Sequence, residues 1–257
     1  MSLNTEAVRH ARRRLIEMHH HSKVGHLGGN LSALDAMLLV HHEFMDAQDR
    51  FVLSKGHSAG ALYVTLWSLG VLSDEELKTF HGENTRLPGH PPARGIDAVE
   101  FATGSLGHGL SLAAGLALSA RLRGRRQRVY CMTSDGEWQE GSTWEALIFA
   151  AHHKLTQLTV LVDHNRLQGF GATGDVASMD PLWQRLAGFA VEIRIADGHD
   201  LDDMRASMSP SPTDRPVVVF LNTCKGKGVP ALEGRMDSHY LPITDAQMGE
   251  FMRVENR

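Results

Sequence analysis

The chain has 257 residues, of which 42% are hydrophobic and 22% charged, and its formal net charge is −4. That make-up suits a soluble globular protein with enough apolar surface for a core, and it gives no signal for nucleic acid or for a membrane partner. No stretch approaches the roughly 18 apolar residues of a membrane span, and the N-terminus lacks a secretory signal, so a cytoplasmic protein is expected. The two cysteines, Cys131 and Cys224, lie in or beside apolar runs and read as buried thiols in a reducing compartment.

Asn4 to His20 reads as an amphipathic helix, because Ala7, Val8, Ala11, Leu15 and Met18 recur near helical spacing. Gly25 to Asn30 reads as a glycine-rich loop, and the run LSALDAMLLVHHEF after it as a helix. DRFVLS is a short buried strand, and GHSAGALYVTLWSLG leads from a loop into a helix closed by Gly70. Ser73 to Glu76 carries a capping-box signature that opens another helix. His81 to Thr103, with Pro88, Pro91 and Pro92, is a long irregular stretch; loops of that length in compact domains are usually functional or disordered, and its glycines and histidines favour function.

GSLGHG then opens the helix LSLAAGLALSARL, and the basic run Arg121 to Arg126 suits its C-terminal dipole and solvent. RVYCMT is a strand, Gln139 to His153 a helix, LTVLVD a strand, and HNRLQGFGATGD a loop. The last strands are FAVEIRI and PVVVFLN, separated by a helix near Asp200 to Ser207. Apolar strands alternating with helices predict an α/β fold: one domain over residues 1–257, with a mostly parallel sheet flanked by helices on both faces.

There are 16 histidines. The consecutive His19, His20 and His21 point in different directions on a helix and make a poor metal site. Those beside glycines, in VGHLGGN, SKGHSAG, LPGHPP and GSLGHG, are harder to explain by packing. In an open parallel sheet, ligands gather at the carboxyl ends of the strands, and here the strands end in LSKGH, TSDGE, VDHNR and LNTCKGKG. Asp135 and Asn165 follow two successive strands of one β-α-β unit. With a loop carbonyl they form a set of hard oxygens suited to Mg²⁺ or Ca²⁺; the alternative is two turn residues capping the segments that follow. GSLGHG has the shape of an anion-binding loop at a helix start, whereas the P-loop and dinucleotide fingerprints are absent.

The stretch SDGEWQEGSTWEALIFAAHHKLTQLTVLVDHNRLQGFG resembles the thiamine-diphosphate motif, which begins G-D-G and ends in an Asn-containing turn. SKVGHLGGNLSALDAM, DRFVLSKGHSAGALY, LPGHPPARGIDAVEFATGSLGHG and a late SHY occur in the order seen in the N-terminal, diphosphate-binding half of transketolase. The resemblance spans residues 5 to 240, and the chain is similar to the small N-terminal subunits of split transketolases.

This resemblance implies thiamine diphosphate as coenzyme, with Mg²⁺ (or Ca²⁺ or Mn²⁺) held by Asp135, Asn165 and the Leu167 carbonyl. It implies that Gly136 and Glu137 lie at the diphosphate, that Gly104, Ser105 and Leu106 lie along the coenzyme, and that His57 and His239 approach both coenzyme and reacting centre. His26 and His90 would meet substrate hydroxyls and move protons. Glu140 and Glu145 would stand at an interface with a partner subunit; the plainer reading makes them first-turn helix acids. The implied reaction is transfer of a two-carbon ketol unit between sugars or sugar phosphates, with the coenzyme supplying the carbanion chemistry. A separately encoded subunit would supply the pyrimidine-binding and C-terminal domains, in a heterotetramer or larger, and the chain would be inactive alone.

Two positions depart from the family pattern: Ser134 replaces the first glycine of G-D-G, and His108 stands where Gln is usual. Two other readings stay open: a 2-oxo-acid-decarboxylating or acyloin-forming enzyme with the same coenzyme, and a non-catalytic subunit. The donor and acceptor are also open, among them a nucleotide-linked sugar.

Overall fold

The structure, a computed structural model, describes residues 3–255. Its strands are β1 (Arg50–Leu53), β2 (Val129–Ser134), β3 (Leu158–His164), β4 (Leu167–Gln168), β5 (Gly171–Ala172), β6 (Glu192–Asp197) and β7 (Val217–Asn222). Five of them form one parallel sheet in the order β1-β2-β3-β7-β6, and β4 and β5 pair as a small antiparallel hairpin. The helices are α1 (Thr5–Ser22), α2 (Leu27–Leu39), α3 (Ala59–Ser68), α4 (Asp74–Leu77), α5 (Gly109–Leu122), α6 (Gly141–His152), α7 (Thr173–Ala177), α8 (Leu182–Leu186), α9 (Leu201–Ser207), α10 (Asp237–Tyr240) and α11 (Asp245–Glu255).

The central strands β2, β3 and β7 are largely apolar because both faces are covered, whereas the edge strand β6 is mixed and partly exposed. Phe51, Leu53, Tyr130, Met132, Val217, Val219 and Leu221 pack with helices α1, α2 and α3 on one side. Their neighbours Val52, Val129, Cys131, Val218 and Phe220 pack with α5 and α6 on the other. Alternation of side chains along each strand thus builds two cores from one sheet, as expected for the α/β class. Asn4 caps α1 by accepting the Ala7 N–H at 2.9 Å, and Ser73 and Glu76 form the full reciprocal capping box.

Three local expectations change. The glycines of Gly25 to Asn30 do not form a loop: α2 begins at Leu27, so Gly28 and Gly29 lie in its first turn. They are small because another segment comes close, since a Cβ on Gly28 would lie 2.1 Å from Ser238 Oγ and one on Gly25 would lie 2.4 Å from the Tyr240 carbonyl oxygen. The helix expected from Gln139 is broken at Glu140, whose extended backbone separates a 3₁₀ turn (Gly136–Gln139) from α6. Cys131 is buried as expected, whereas Cys224 lies beyond the end of β7 and is only half-buried.

Away from the strand ends, two histidines serve the core. His19 donates through Nδ1 to the Leu15 carbonyl (3.1 Å) and packs on Phe80; His41 donates to the Met37 carbonyl (2.8 Å) and packs on Phe51. A carbonyl only accepts, so both rings carry the proton on Nδ1. Loss of water around them pushes each pKa from 6.5 down to about 4. Between those values the unfolded chain takes up protons that the fold does not, so stability falls as pH falls, by about 1.4 kcal/mol per pH unit per ring. Melting temperature is expected to drop steeply from pH 6.5 to 4, and His41→Phe to flatten that slope in a pH series of thermal melts.

Candidate active site

The parallel register sets the carboxyl ends of β1, β2, β3 and β7 side by side, and the polar signatures read from the sequence meet there. At the centre is an ion pair between Lys55, just past β1, and Asp163, near the end of β3, with both side chains wholly buried. The Lys55 ammonium also donates to the Gly29 carbonyl at 3.0 Å. Asp163 accepts from Ser32 Oγ (2.6 Å), Asn165 Nδ2 (3.0 Å) and Thr223 Oγ1, so one carboxylate ties together α2, β1, β3 and the turn after β7. Burial pushes the Asp163 carboxyl up, but the Lys55 charge and these donors outweigh it and hold the group below the usual carboxylate value.

Asp135, just past β2, reaches across to the turn after β3. Its Oδ2 accepts the Arg166 N–H at 2.5 Å, and its Oδ1 accepts the Gly136 N–H at 2.7 Å. Arg166 lies between Asn165 and Leu167, so the three residues expected to hold a metal belong to one turn and the carboxylate bonded to it. Asn165 Oδ1 accepts the Leu167 N–H at 3.0 Å, and an amide oxygen retains a second lone pair. Burial, then the charge of Asp163, push the Asp135 carboxyl up to about 6. The Leu167 carbonyl already attracts a cation, the Lys225 ammonium, at 3.1 Å. A buried carboxylate beside two neutral oxygens fits a hard divalent ion such as Mg²⁺.

The four histidines expected at the reacting centre are brought together. The His26 ring lies 5.5 Å from His57, 6.2 Å from His90 and 4.9 Å from His239, and His57 lies 5.6 Å from His239. Burial, reinforced by the neighbouring cations and histidines, keeps all four neutral: His26 falls to about 4, His239 to about 3, and His57 and His90 also fall below 6.5. A neutral imidazole can both accept and donate, the property a proton shuttle needs. His26 takes a left-handed backbone (φ 65°), its N–H donates to the His239 carbonyl at 2.9 Å, and its Nδ1 is buried without a partner. His26, His57 and His90 line a cavity of about 270 Å³ with His81 and Tyr240. His90 also borders an open groove of about 760 Å³ lined by Thr103, Gly104, Ser105, His108 and Leu112.

Asn30 holds two of these histidines in place. Its Nδ2 donates to the carbonyls of His26 (2.8 Å) and His57 (3.1 Å), and its Oδ1 accepts the Ala61 N–H at 2.7 Å. Asn30→Ala leaves that buried N–H unpaired, a cost of roughly 1–3 kcal/mol from this group alone. A lower melting temperature is expected together with a loss of turnover larger than the loss of stability accounts for; turnover kept at the native level in the folded variant would contradict this role.

Glu137 lies beneath the GSLGHG loop. It accepts the Gly107 N–H (2.8 Å) and the Ser54 hydroxyl at one oxygen and the Ser134 N–H (3.2 Å) at the other, so its charge fixes the loop from below. Ser134 keeps the backbone N–H of the glycine usual there. His108 is exposed, with Nδ1 near the carbonyls of Ser105 (3.3 Å) and Leu106 (3.2 Å). Glu140 and Glu145 are exposed at the start of α6. His239 is carried by α10, close to Gly25, Gly28 and Gly169, and its Nδ1 accepts from the Lys225 ammonium at 2.9 Å.

A buried set of oxygens and a cluster of neutral histidines thus meet at the carboxyl edge of a parallel sheet. Residues 4–254 match the family model for transketolase, thiamine diphosphate binding domain. The chain belongs to the transketolase family. Among its curated relatives is a subunit of apulose-4-phosphate transketolase from Actinobacillus succinogenes, 35% identical over 240 residues that cover 89% of this chain and 87% of that one. It is 34% identical over 233 residues to the 6-deoxy-6-sulfo-D-fructose transketolase subunit SqwG from a Clostridium species, covering 86% and 85%. Among solved structures it superposes on transketolase from Campylobacter jejuni with a TM-score of 0.86 and 26% identity, covering 99% of this chain and 43% of that one. The chain therefore spans less than half of that solved transketolase and most of the two subunits.

Lys55, Lys225, Asp163, Ser32 and Asn30 gain their roles from the structure alone. A signal was present for the lysines, since each lies within three residues of the end of an apolar strand, where a charge has no helix face to sit on. None existed for Ser32 and Asn30, which lie inside a helix whose 13 residues are all buried.

Proposed function

We propose that this chain is the diphosphate-binding subunit of a split transketolase, moving a two-carbon ketol unit from a ketose to an aldehyde acceptor. In this reading the chain is a single diphosphate-binding domain, and the pyrimidine-binding and C-terminal domains stand on a separately encoded subunit. The names of the subunit relatives support that division and favour sugar-phosphate substrates. The observation that carries the proposal is the Asp135 carboxylate bonded to the backbone between Asn165 and Leu167.

Bound thiamine diphosphate supplies the carbanion-stabilising chemistry. Asp135, Asn165 and the Leu167 carbonyl hold Mg²⁺, and Lys225, the Gly136 N–H and the Gly104-Ser105-Leu106 loop meet the coenzyme. Neutral His26 and His90 accept or return a hydroxyl proton of the sugar, and His57 and His239 bound the same space.

Among the described residues no helix is long and apolar enough to cross a membrane, and a cytoplasmic location is part of the proposal. Leu122, Ile148 and Phe149 are exposed on α5 and α6 alongside Glu145. Such a face suits burial in a heterotetramer holding two copies of each subunit. The test is reconstitution: the chain alone with Mg²⁺ and thiamine diphosphate is expected to show no ketol transfer from hydroxypyruvate, and addition of the second subunit to start it. Turnover without a partner, or consumption of pyruvate in place of hydroxypyruvate, would overturn the proposal.

A further inference from the structure

Behind the site, on the far side of Lys225, lies a second set of charged residues that none of the roles above uses. Arg12 on α1 donates through Nη2 to both oxygens of Asp35 on α2, at 2.6 and 2.8 Å. Asp35 Oδ2 is 2.9 Å from Nδ1 of His199, which follows β6, and the backbone N–H of Cys224 points at His199 Nε2, also at 2.9 Å. The Asp35 and His199 side chains are 3% and 10% exposed. A backbone N–H can only donate, so Nε2 accepts with its lone pair. A neutral imidazole has one N–H, which is then on Nδ1 and faces the Asp35 carboxylate. Arg12 and Asp35 thus select the one tautomer that can receive the Cys224 amide.

Cys224 immediately precedes Lys225 in the turn after β7. Other bonds of this turn are the Thr223 N–H to the His164 carbonyl (3.3 Å), the Thr223 hydroxyl to Asp163, the Gly226 N–H to the Gly28 carbonyl (3.0 Å), the Lys227 N–H to the Cys224 carbonyl (3.1 Å) and the Gly234 N–H to the Lys225 carbonyl (2.9 Å). None of them engages the Cys224 N–H. The Cys224 N–H, one residue before the lysine that carries the ammonium, is received by His199 Nε2, and a Cβ on the preceding Gly198 would lie 2.4 Å from Thr223 Cγ2, so the two turns are pressed together.

We propose that His199 is a positioning residue: by holding the Cys224 peptide it places the Lys225 ammonium between the Leu167 carbonyl and His239, where an anionic coenzyme group is received. The proposal rests on the reading of this site as one for a diphosphate. Two conservative variants separate the two ends of the ring. His199→Gln retains an acceptor near the Nε2 position for the Cys224 N–H, whereas His199→Asn retains a donor for Asp35 and loses that acceptor. In the reconstituted complex with Mg²⁺, calorimetry is expected to show thiamine diphosphate bound at least tenfold more weakly by His199→Asn and within about threefold of native by His199→Gln. Hydrogen exchange across residues 223–228 should speed up in the Asn variant and stay near native in the Gln variant, a readout that needs no coenzyme.

Equal weakening in both variants, or unchanged exchange in His199→Asn, would overturn the proposal. A native complex that takes up no thiamine diphosphate would sink the diphosphate reading instead, and the exchange arm would still judge His199. Should His199→Asn fail to fold, Asp35→Leu takes its place, because it keeps the imidazole and removes every acceptor for its Nδ1–H.

Discussion

Asp135→Ala is expected to abolish Mg²⁺-dependent binding of thiamine diphosphate to the reconstituted enzyme, by at least 100-fold, or about 2.7 kcal/mol. The carboxylate is the only charged member of the oxygen set, and the Arg166 N–H that it holds would lose its partner. Asp135→Asn separates the two effects, since an amide oxygen can still accept from Arg166 while the negative charge is gone. If charge is what matters, the Asn variant loses the coenzyme nearly as completely as the Ala variant. Isothermal titration with and without a chelator measures both, and native affinity in Asp135→Asn would refute the metal assignment.

Lys55→Met is expected to produce the largest loss of stability. Removing one partner of a buried ion pair strands the other, at a cost of about 3–5 kcal/mol. Asp163 would remain with Ser32, Thr223 and Asn165 as hydrogen-bond donors but without the ammonium it pairs with directly. For a chain of this length each kcal/mol shifts the melting temperature by about 2–4 °C, so a fall of roughly 10 °C is expected. The double variant Lys55→Met with Asp163→Asn should recover part of it, because the stranded charge is gone. A single variant that melts within about 2 °C of native would show that the pair adds little.

Much of the site was legible because it depends on chain order and strand ends. Asp135 and Asn165 each follow an apolar run, and in a parallel sheet the crossover carries both to the same edge. The histidines beside glycines were equally visible. What their glycines do was not: Gly25 and Gly28 make room for α10 and hence for His239, a contact across more than two hundred residues that no local pattern encodes. Glu137 shows the same limit. Its place in the motif pointed to the coenzyme, and only packing reveals that both oxygens are spent holding Gly107, Ser54 and Ser134.

The amino-acid sequence by itself determined the α/β class, the parallel sheet, and which oxygens and histidines stand at the strand ends, because periodicity, strand-end chemistry and ordered motifs are properties of neighbouring residues. Only the tertiary structure decided how charge is balanced around them. The Lys55–Asp163 pair, Lys225 on Leu167, and the Arg12–Asp35–His199 chain each join residues distant in sequence. The physical reason is that a buried charge is tolerable only beside its partner, and which groups become neighbours is settled by how the helices close over the sheet.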